Sequence, residues 1–291
     1  MEKNEVIILE DRGFIQVKGL EAKDFLQNIV TNDLEKVTNS STVFSSILTP
    51  QGKYLFDFFI IKSKDNYLIE CEKKSTPEIT KLLNYYKLRS KVELIDLSEK
   101  YVAAVISLEK FKEIGNSEIS IGKRINYRDD LIYVDPRNVN LGAKIISKLE
   151  NLYLTIKKLN LTIVDKKKYY NKSFRLGIPQ INLNRLKDKI FGIENNLDEL
   201  NGIDFKKGCY VGQENTARMK LKNKLRKRLL PIFTNGKFEV GDSLMFNNTS
   251  VGNIIISKPY PFGLIKLFDP NLSDFKDKIL NLNGYDAKLS N

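Results

Sequence analysis

Short apolar runs alternate with polar turns along most of the chain, and their periods separate strands from helices. Apolar runs of strand length predict strands over Val6–Glu10, Phe14–Lys18, Thr42–Leu48, Tyr54–Ile61, Asn66–Glu72, Val92–Leu97, Val102–Ser107 and Leu131–Val134. Helical patterns predict helices over Glu21–Thr31, Thr76–Leu88, Leu141–Leu154 and Asp165–Leu176. Because strands and helices are mixed without strict alternation, the predicted fold class is α+β and not doubly wound α/β.

The pattern changes after Arg226, where short apolar runs are separated by Gly, Asn and Pro. Strands are predicted over Leu229–Thr234, Asp242–Phe246, Val251–Ser257 and Phe262–Phe268. This spacing indicates a small β-barrel or sandwich. An irregular, Asn-rich stretch over residues 177–202 lies before it, and loops of this length are functional or disordered. We place a boundary near Lys224, which gives a larger domain of residues 1–224 and a C-terminal β-barrel domain of residues 225–291.

The composition excludes several kinds of active site. Histidine is absent from the 291 residues, which excludes a Ser-His-Asp triad, a HExxH zinc site and an imidazole base. Two cysteines, Cys71 and Cys209, cannot supply the four ligands of a self-contained zinc site. Proton transfer is left to Asp, Glu, Lys, Tyr, Cys or a cofactor.

The net charge of +12 predicts a basic surface that attracts polyanions such as nucleic acid, anionic lipid or a polyglutamylated cofactor. A codon bias towards Lys, Asn and Ile explains the same charge without a partner. No apolar run reaches the roughly 18 residues that a membrane helix needs. The first residues are acidic and polar, unlike a signal or transit peptide, so a cytoplasmic protein without membrane contact is predicted.

One segment concentrates the candidate chemistry, namely Lys206-Lys207-Gly208-Cys209-Tyr210-Val211-Gly212-Gln213-Glu214. Its two glycines allow positive φ or a close approach of backbone to a ligand. The neighbouring lysines favour the thiolate of Cys209, which is the reactive and metal-binding form. Gln213 and Glu214 offer an amide and a carboxylate to a planar heterocycle. The pattern indicates a ligand-facing loop, and a tight turn around a buried cysteine is the alternative.

The same segment, followed by Ala217-Arg218, resembles the signature of the YgfZ family, which is related to the glycine-cleavage T-protein and to a mitochondrial iron–sulfur factor. Further matches in chain order are Gly19…Phe25-Leu26-Gln27…Thr31-Asn32-Asp33, Pro50-Gln51-Gly52-Lys53, Gly177-Ile178-Pro179 and Ile203-Asp204-Phe205. Together they cover residues 13–230. The chain departs from the family pattern at Gly192, where relatives often have Pro, and at Ser173, where many have a basic residue.

The resemblance implies a GcvT-like domain with mixed and antiparallel sheets that binds tetrahydrofolate in a central cavity. Glu194 occupies the position of a family glutamate and would pair with the amidine edge of the pterin, with Gln213 and Glu214 next in line. The other residues assigned to the folate site are Gly208, Gly212, Tyr210 and Arg175. The candidate catalytic residues are Cys209 and Asp57. Asp57 falls near the catalytic aspartate of the T-protein, and a solvent-facing strand residue is the alternative.

Three functions follow from these features. The resemblance favours a non-classical folate protein that assists assembly or repair of iron–sulfur enzymes, including those that modify tRNA. An accessible Cys209 would act there as a redox thiol or as one ligand of a cluster shared with a partner; a sealed sulfur would contradict this hypothesis. A folate-dependent aminomethyltransferase is the second function. The third is an RNA-binding protein, because residues 206–228 hold nine Lys or Arg and one acid, although a solvated linker explains the same composition.

Overall fold

The computed structural model describes residues 1–116, 118–222 and 225–289. Its strands are β1 (Glu5–Leu9), β2 (Arg12–Lys18), β3 (Val43–Leu48), β4 (Tyr54–Ser63), β5 (Asn66–Glu72), β6 (Glu93–Asp96), β7 (Tyr101–Ile106), β8 (Arg124–Tyr127), β9 (Asp130–Val134), β10 (Ala143–Lys148), β11 (Thr162–Ile163), β12 (Lys227–Pro231), β13 (Phe233–Thr234), β14 (Ser243–Phe246), β15 (Thr249–Ile256), β16 (Phe262–Lys266), β17 (Leu280–Leu282) and β18 (Tyr285–Lys288). Its α-helices are α1 (Ala22–Gln27), α2 (Thr76–Lys87), α3 (Leu108–Gly115), α4 (Leu149–Lys158), α5 (Lys167–Arg175), α6 (Gln213–Leu221) and α7 (Leu272–Phe275).

The chain divides into two compact units. The first unit consists of Met1–Ile47, Phe56–Tyr169 and Asp198–Val211. The second unit consists of Leu48–Leu55, Tyr170–Leu197 and Gly212–Asn291. The predicted boundary near Lys224 lies outside the described residues, so the division into residues 1–224 and 225–291 stays a prediction.

Antiparallel pairing dominates the sheets of the first unit. One sheet has the strand order β11-β1-β7-β10-β9-β8, in which the short β11 pairs with β1 in parallel. Its β7, with the sequence YVAAVI, is apolar because it lies between two neighbouring strands and packs on helix α4, in a core cluster that also includes Phe111 of α3. The other sheet has the order β3-β4-β5-β2-β6.

Residues 141–154, which the sequence predicts as one helix, contain a strand and only the first part of a helix. Strand β10 pairs with both β7 and β9, and α4 begins at Leu149. The helix prediction is wrong because Lys144 interrupts the apolar run as a residue on the polar face of a helix would. In the structure its ammonium group lies 2.7 Å from the buried Glu70 carboxylate, so this polar residue belongs to a central strand. Helix α3, whose N-terminus is capped by Ser107, was also not predicted.

The second unit contains a curled sheet with the strand order β12-β16-β15-β14-β17-β18-β13. Strands β12 and β13 lie at opposite edges of this sheet although Ile232 alone separates them in sequence. The sheet must therefore bend round towards closure. Its interior is filled by apolar side chains such as Val251, Ile265 and Phe275. The predicted α+β class with a small C-terminal barrel-like sheet is confirmed.

Candidate functional site

Cys209 is exposed on an irregular segment of the first unit that we call the cysteine loop, residues 201–211. Gly208 is also exposed, whereas Tyr210 is buried. The loop therefore exposes the thiol of Cys209 to solvent and buries the ring of Tyr210 in the protein. The sulfur is not sealed within packed side chains, so the condition that the first hypothesis sets is met.

The cysteine loop is attached to a segment that we call the anchor, residues 27–33, which contains the Thr-Asn-Asp motif. Four hydrogen bonds contribute to this attachment: Thr31 Oγ1 to Gly202 O (2.6 Å), Asn32 Nδ2 to Asn201 O (2.7 Å), Asp204 N to Thr31 O (3.0 Å) and Val211 N to Asn28 O (3.3 Å). Two motifs that are about 170 positions apart in sequence thus form one site. Thr31 is fully buried, which shows how tightly this seam packs.

Lys207 makes the strongest contact of the loop with the anchor. Its ammonium group donates to the carbonyl oxygens of Gln27 (2.7 Å), Val30 (2.6 Å) and Asn32 (3.0 Å). The side chain is 8% exposed, and its Nζ lies 5.1 Å from the centroid of the Tyr210 ring. The ammonium group of Lys207 therefore donates its hydrogen bonds to main-chain carbonyls, and the predicted influence of the two lysines on the Cys209 thiol stays a prediction.

Burial sets the electrostatics of the loop. It lowers the pKa of Lys207 to about 8, while the carboxylates of Asp33 and Asp204 act in the opposite direction. Burial also raises the pKa of Tyr210 to about 12, and Asp204 adds to that rise. Asp204 itself lies 2.7 Å from the ammonium group of Lys36. Two cations, Lys36 and Lys207, and two carboxylates, Asp33 and Asp204, therefore lie close together where the cysteine loop meets the anchor.

A cavity of about 310 Å³ opens in the first unit beside the first residues of the cysteine loop. It is lined by Asn32 of the anchor, by Asn201 and Ile203 of the loop, and by residues outside both segments such as Lys36, Phe44 and Asp198. This volume lies at the lower end of small-molecule sites, and the lining combines apolar with polar groups as such sites do.

The two glycines of the cysteine motif differ in what the backbone requires of them. Gly212 has a φ of 85°, and a Cβ on it would approach the carbonyl oxygen of Thr49 to 2.4 Å. Around Gly208, no described heavy atom lies within 4 Å of the position that a Cβ would take. The conformational reason that the sequence suggests therefore applies to Gly212 and not to Gly208.

In the second unit, three predicted motifs meet where α6 begins. They are the end of the cysteine motif at Gly212, the Pro50–Lys53 turn and the segment that contains Glu194. The turn lies beside Gly212, and Gln51 O accepts a hydrogen bond from Asn215 Nδ2 (2.9 Å). Gly52, with a φ of 83°, accepts from Gly192 N (3.0 Å), which starts a short 3-10 helix, Gly192–Asn195. Gln213 is half-buried and Glu214 is exposed in the first turn of α6.

Glu194 is the buried carboxylate of this cluster. It is 7% exposed, and its Oε2 accepts a hydrogen bond from Phe191 N (2.9 Å). Burial raises the pKa of Glu194, opposed by that hydrogen bond and by Lys227. Beside it, the Oδ1 atoms of Asn195 and Asn196 are buried and accept no hydrogen bond from any described residue. A set of acceptors in need of donors fits a heterocycle edge that carries N–H groups.

Asp57 and Arg175 complete the predicted residues. Asp57 is half-buried on β4 in the first unit, and Arg175 is exposed at the end of α5, where its Nε donates to Asn171 Oδ1 (2.9 Å). The first unit thus holds Asp57, Gly208, Cys209 and Tyr210, and the second holds Arg175, Glu194, Gly212, Gln213 and Glu214. The assignment of all nine to folate binding or catalysis stays a prediction.

An ionic cluster in the core of the first unit includes none of the predicted site residues. The buried Glu70 carboxylate accepts from Arg12 Nε (2.8 Å), from Lys144 Nζ (2.7 Å) and from the hydroxyl of Tyr133. Burial alone would raise the pKa of Glu70, but Lys144 and Arg12 lower it to about 2. The Lys144 ammonium lies 3.9 Å from the centroid of Phe59. Partners 58 to 74 positions apart leave no local signal by which the cluster could be found.

In the part of the chain that the structure describes, no group of three or more His, Cys, Asp or Glu side chains is arranged to hold a metal ion. Over the same residues, no helix combines the length and apolar character needed to cross a membrane.

Comparison with solved structures defines the class of fold. The glycine cleavage system aminomethyltransferase T from Bartonella henselae matches 99% of this chain and 85% of its own, with a TM-score of 0.76 at 13% sequence identity. The fold is therefore that of an aminomethyltransferase of the glycine cleavage system, as predicted, and at this identity the likeness concerns the fold alone. No family model matches the chain.

Comparison with curated proteins shows which proteins of this fold class the chain resembles in sequence. The chain is 31% identical over 230 residues to the mitochondrial iron–sulfur cluster assembly factor IBA57 homolog of Neurospora crassa, covering 77% of this chain and 52% of that protein. It is 29% identical over 235 residues to the protein of the same name from Mycosarcoma maydis, covering 76% and 55%. The chain spans about half the length of these relatives. The resemblance to the YgfZ family and its mitochondrial iron–sulfur relatives is confirmed.

The same relatives correct the predicted location. Both carry the name of a mitochondrial protein, and so does the corresponding factor of Mus musculus. The prediction of a cytoplasmic protein, which rested on the composition of the first residues, is therefore contradicted.

Proposed function

We propose that this chain assists the assembly or repair of iron–sulfur enzymes, including enzymes that modify tRNA, and that it does so with bound tetrahydrofolate. Its partners are then iron–sulfur proteins or their assembly factors. The relatives named as iron–sulfur cluster assembly factors support the first part of this proposal. The aminomethyltransferase fold supports the second.

The observation that carries the proposal is the exposed Cys209 on a loop that is fixed to the anchor on both sides. A fixed loop presents the sulfur in one place to a partner protein, at little further loss of entropy on binding. The thiol serves as a redox group or as one ligand of a cluster shared with the partner. Cys209 cannot supply the ligand set of a cluster alone, because the chain has no histidine and its other cysteine, Cys71, is buried.

The folate part rests on the cluster around Glu194. The carboxylate and the amide oxygens of Asn195 and Asn196 are acceptors that suit the amino and ring N–H groups of a pterin. Gln213 and Glu214 at the start of α6 would extend this set of polar contacts. Bound tetrahydrofolate supplies a carrier of one-carbon units. Ionised Glu194 would orient the heterocycle. Because the pKa of Glu194 is raised, folate binding should weaken as the pH falls towards that pKa and the carboxylate is protonated.

The test of the main proposal uses cells that lack the protein and require it for an iron–sulfur enzyme. We expect Cys209→Ser to leave the activity of that enzyme at the level of cells without the protein, because an alcohol neither cycles as a thiol nor binds a cluster as a thiolate. Cys71→Ser, the matched control, keeps a similar side chain inside the core and should retain most of the activity. Full activity of the Cys209→Ser protein would refute the proposal.

Folate binding is tested separately by titration of the purified protein with tetrahydrofolate. Glu194→Ala is expected to weaken binding by a factor of about ten or more, because buried donors of the ligand lose a charged acceptor. Glu239→Ala removes an exposed carboxylate of the same unit and should leave the affinity unchanged. Equal affinities of the Glu194→Ala and wild-type proteins would exclude the assigned residue, and absence of binding by the wild type would exclude the cofactor.

Two other functions have a specific observation in their favour. Aminomethyl transfer is favoured by the fold, and turnover in a glycine-cleavage assay with the partner proteins would establish it. Contact with tRNA is favoured by exposed basic side chains of α6 and the residues after it, namely Arg218, Lys220, Lys222, Arg226 and Lys227. Salt-sensitive tRNA binding without folate affinity would favour that function.

A further inference from the structure

The side chain of Lys207 points into the protein and meets three main-chain carbonyl oxygens at 2.6–3.0 Å. An ammonium group has three N–H donors and no acceptor. Three carbonyl acceptors therefore use the whole hydrogen-bonding capacity of the group. Lys206, the next residue towards the N-terminus, has an exposed side chain, so the two adjacent lysines have different roles.

The three acceptors all belong to one short stretch of chain. Gln27 is the last residue of α1, and Val30 and Asn32 follow within five positions. Carbonyl groups at the C-terminus of a helix lack intrahelical partners and carry a partial negative charge, so a cation is favoured there. Of the three acceptors, Gln27 O is such a helix-terminal carbonyl, and Val30 O and Asn32 O belong to the segment that follows α1.

Cys209 lies midway between two points of attachment to this stretch. Lys207 precedes it by two residues, and Val211, whose N donates to Asn28 O (3.3 Å), follows it by two. The attachment at Lys207 is the stronger one, because it consists of three charge-assisted hydrogen bonds and a contact with the Tyr210 ring. The position of the sulfur is thus set by a side chain that does not itself reach the exposed surface.

We infer that Lys207 is the positioning residue of Cys209: its ammonium group clamps the cysteine loop to the anchor and so fixes where the thiol is presented. The inference rests on the proposed function, because a fixed position of the thiol is useful only if a partner protein binds or reacts with it. Exposed Lys206 takes no part in the clamp.

Amide hydrogen exchange of peptides that cover residues 201–211 tests the clamp in the full-length protein. We expect Lys207→Met, which keeps the length of the side chain and removes its donors, to raise exchange in this segment by a factor of about ten or more. Lys206→Met is the matched control and should leave exchange at the wild-type rate. Wild-type exchange in Lys207→Met would overturn the inference.

A second measurement covers the case in which Lys207→Met does not fold. A buried, fully bonded ammonium group exchanges its protons slowly and gives a nitrogen–proton correlation signal that exposed lysines lose by fast exchange. We expect one such signal of the wild-type protein to disappear in Lys207→Arg and to persist in Lys206→Met. If the wild type and Lys207→Arg give the same ammonium signals, the inference fails.

These measurements need neither folate nor an iron–sulfur partner, so the two proposals fail independently. Unchanged exchange in Lys207→Met would remove the clamp and leave the role of Cys209 intact. Full cellular activity of Cys209→Ser would remove that role and leave the clamp measurable.

Discussion

Cys71 and Cys209 belong to the same unit but have opposite surroundings. Cys71 is 0% exposed in β5, its sulfur lies 3.7 Å from Thr76 Oγ1, and burial raises its pKa to about 12. Cys209 is exposed on a loop without regular secondary structure. The comparison shows that a sheet fixes a thiol by enclosing it, whereas a tethered loop fixes the backbone and leaves the thiol available.

The forces at the two places differ in kind. Next to Cys71, Glu70 joins two cations in the core, where removal of one charge leaves the others buried without that partner. Around Cys209, the bonds join side chains or main-chain N–H groups of one segment to main-chain carbonyl oxygens of the other, and because these acceptors are neutral, the loss of a single bond leaves no carboxylate without its cation. We therefore expect core substitutions to unfold the unit and loop substitutions to act locally.

The largest expected effect is the difference in reactivity between the two thiols. Cys209 should react with a thiol reagent at the rate of an exposed cysteine, and Cys71 at least about 10⁴-fold more slowly, because its reaction requires opening of the core. Kinetics of labelling with mass-spectrometric localisation would measure both rates. Cys209→Ser should remove the fast phase and Cys71→Ser should retain it. Fast labelling of both thiols would contradict the comparison.

The next largest effect is expected from Glu70→Ala. This change leaves Arg12 and Lys144 without their shared carboxylate in the core and should lower the free energy of unfolding by about 3–5 kcal/mol. Urea denaturation would measure the loss, and labelling of Cys71 should accelerate while that of Cys209 stays constant. Glu118→Ala removes an exposed carboxylate from the same unit as a control. A loss equal to that of the control would show that the cluster does not seal Cys71.

Acid should weaken the core around Cys71 by a somewhat smaller amount. The pKa of Glu70 is about 2 in the folded protein against an ordinary value of 4.5, so the unfolded chain binds the extra proton between these values. The stabilisation from ionised Glu70 is therefore present above pH 4.5 and is lost as the pH falls towards 2, by about 2–3 kcal/mol. Urea denaturation over this range should show a flatter pH dependence for Glu70→Gln than for the wild type. Parallel pH dependences would refute the assignment.

Local features of this comparison could be predicted from the sequence, whereas long-range ones could not. The apolar run around Cys71 predicts a core strand, and the motif around Cys209 predicts an exposed loop through its resemblance to a family. The acceptors of Lys207 lie 175 to 180 positions earlier, and no local pattern reports them. The strand at Ala143–Lys148 was missed for the same reason, because the partner of Lys144 is 74 positions away.

The smallest effect is expected from Thr31→Val, which tests the seam between the anchor and the cysteine loop. Thr31 Oγ1 donates to Gly202 O (2.6 Å) and accepts from Ser46 N (2.9 Å), so valine leaves two buried main-chain groups without this partner. We expect a loss of about 1–2 kcal/mol in local stability, seen as faster amide exchange in residues 201–211 with little change in global unfolding. Thr38→Val, at an exposed threonine of the same unit, is the control. If Thr31→Val lowers global stability as much as Glu70→Ala does, the loop is part of the core, and the distinction between an enclosed and a tethered thiol does not hold.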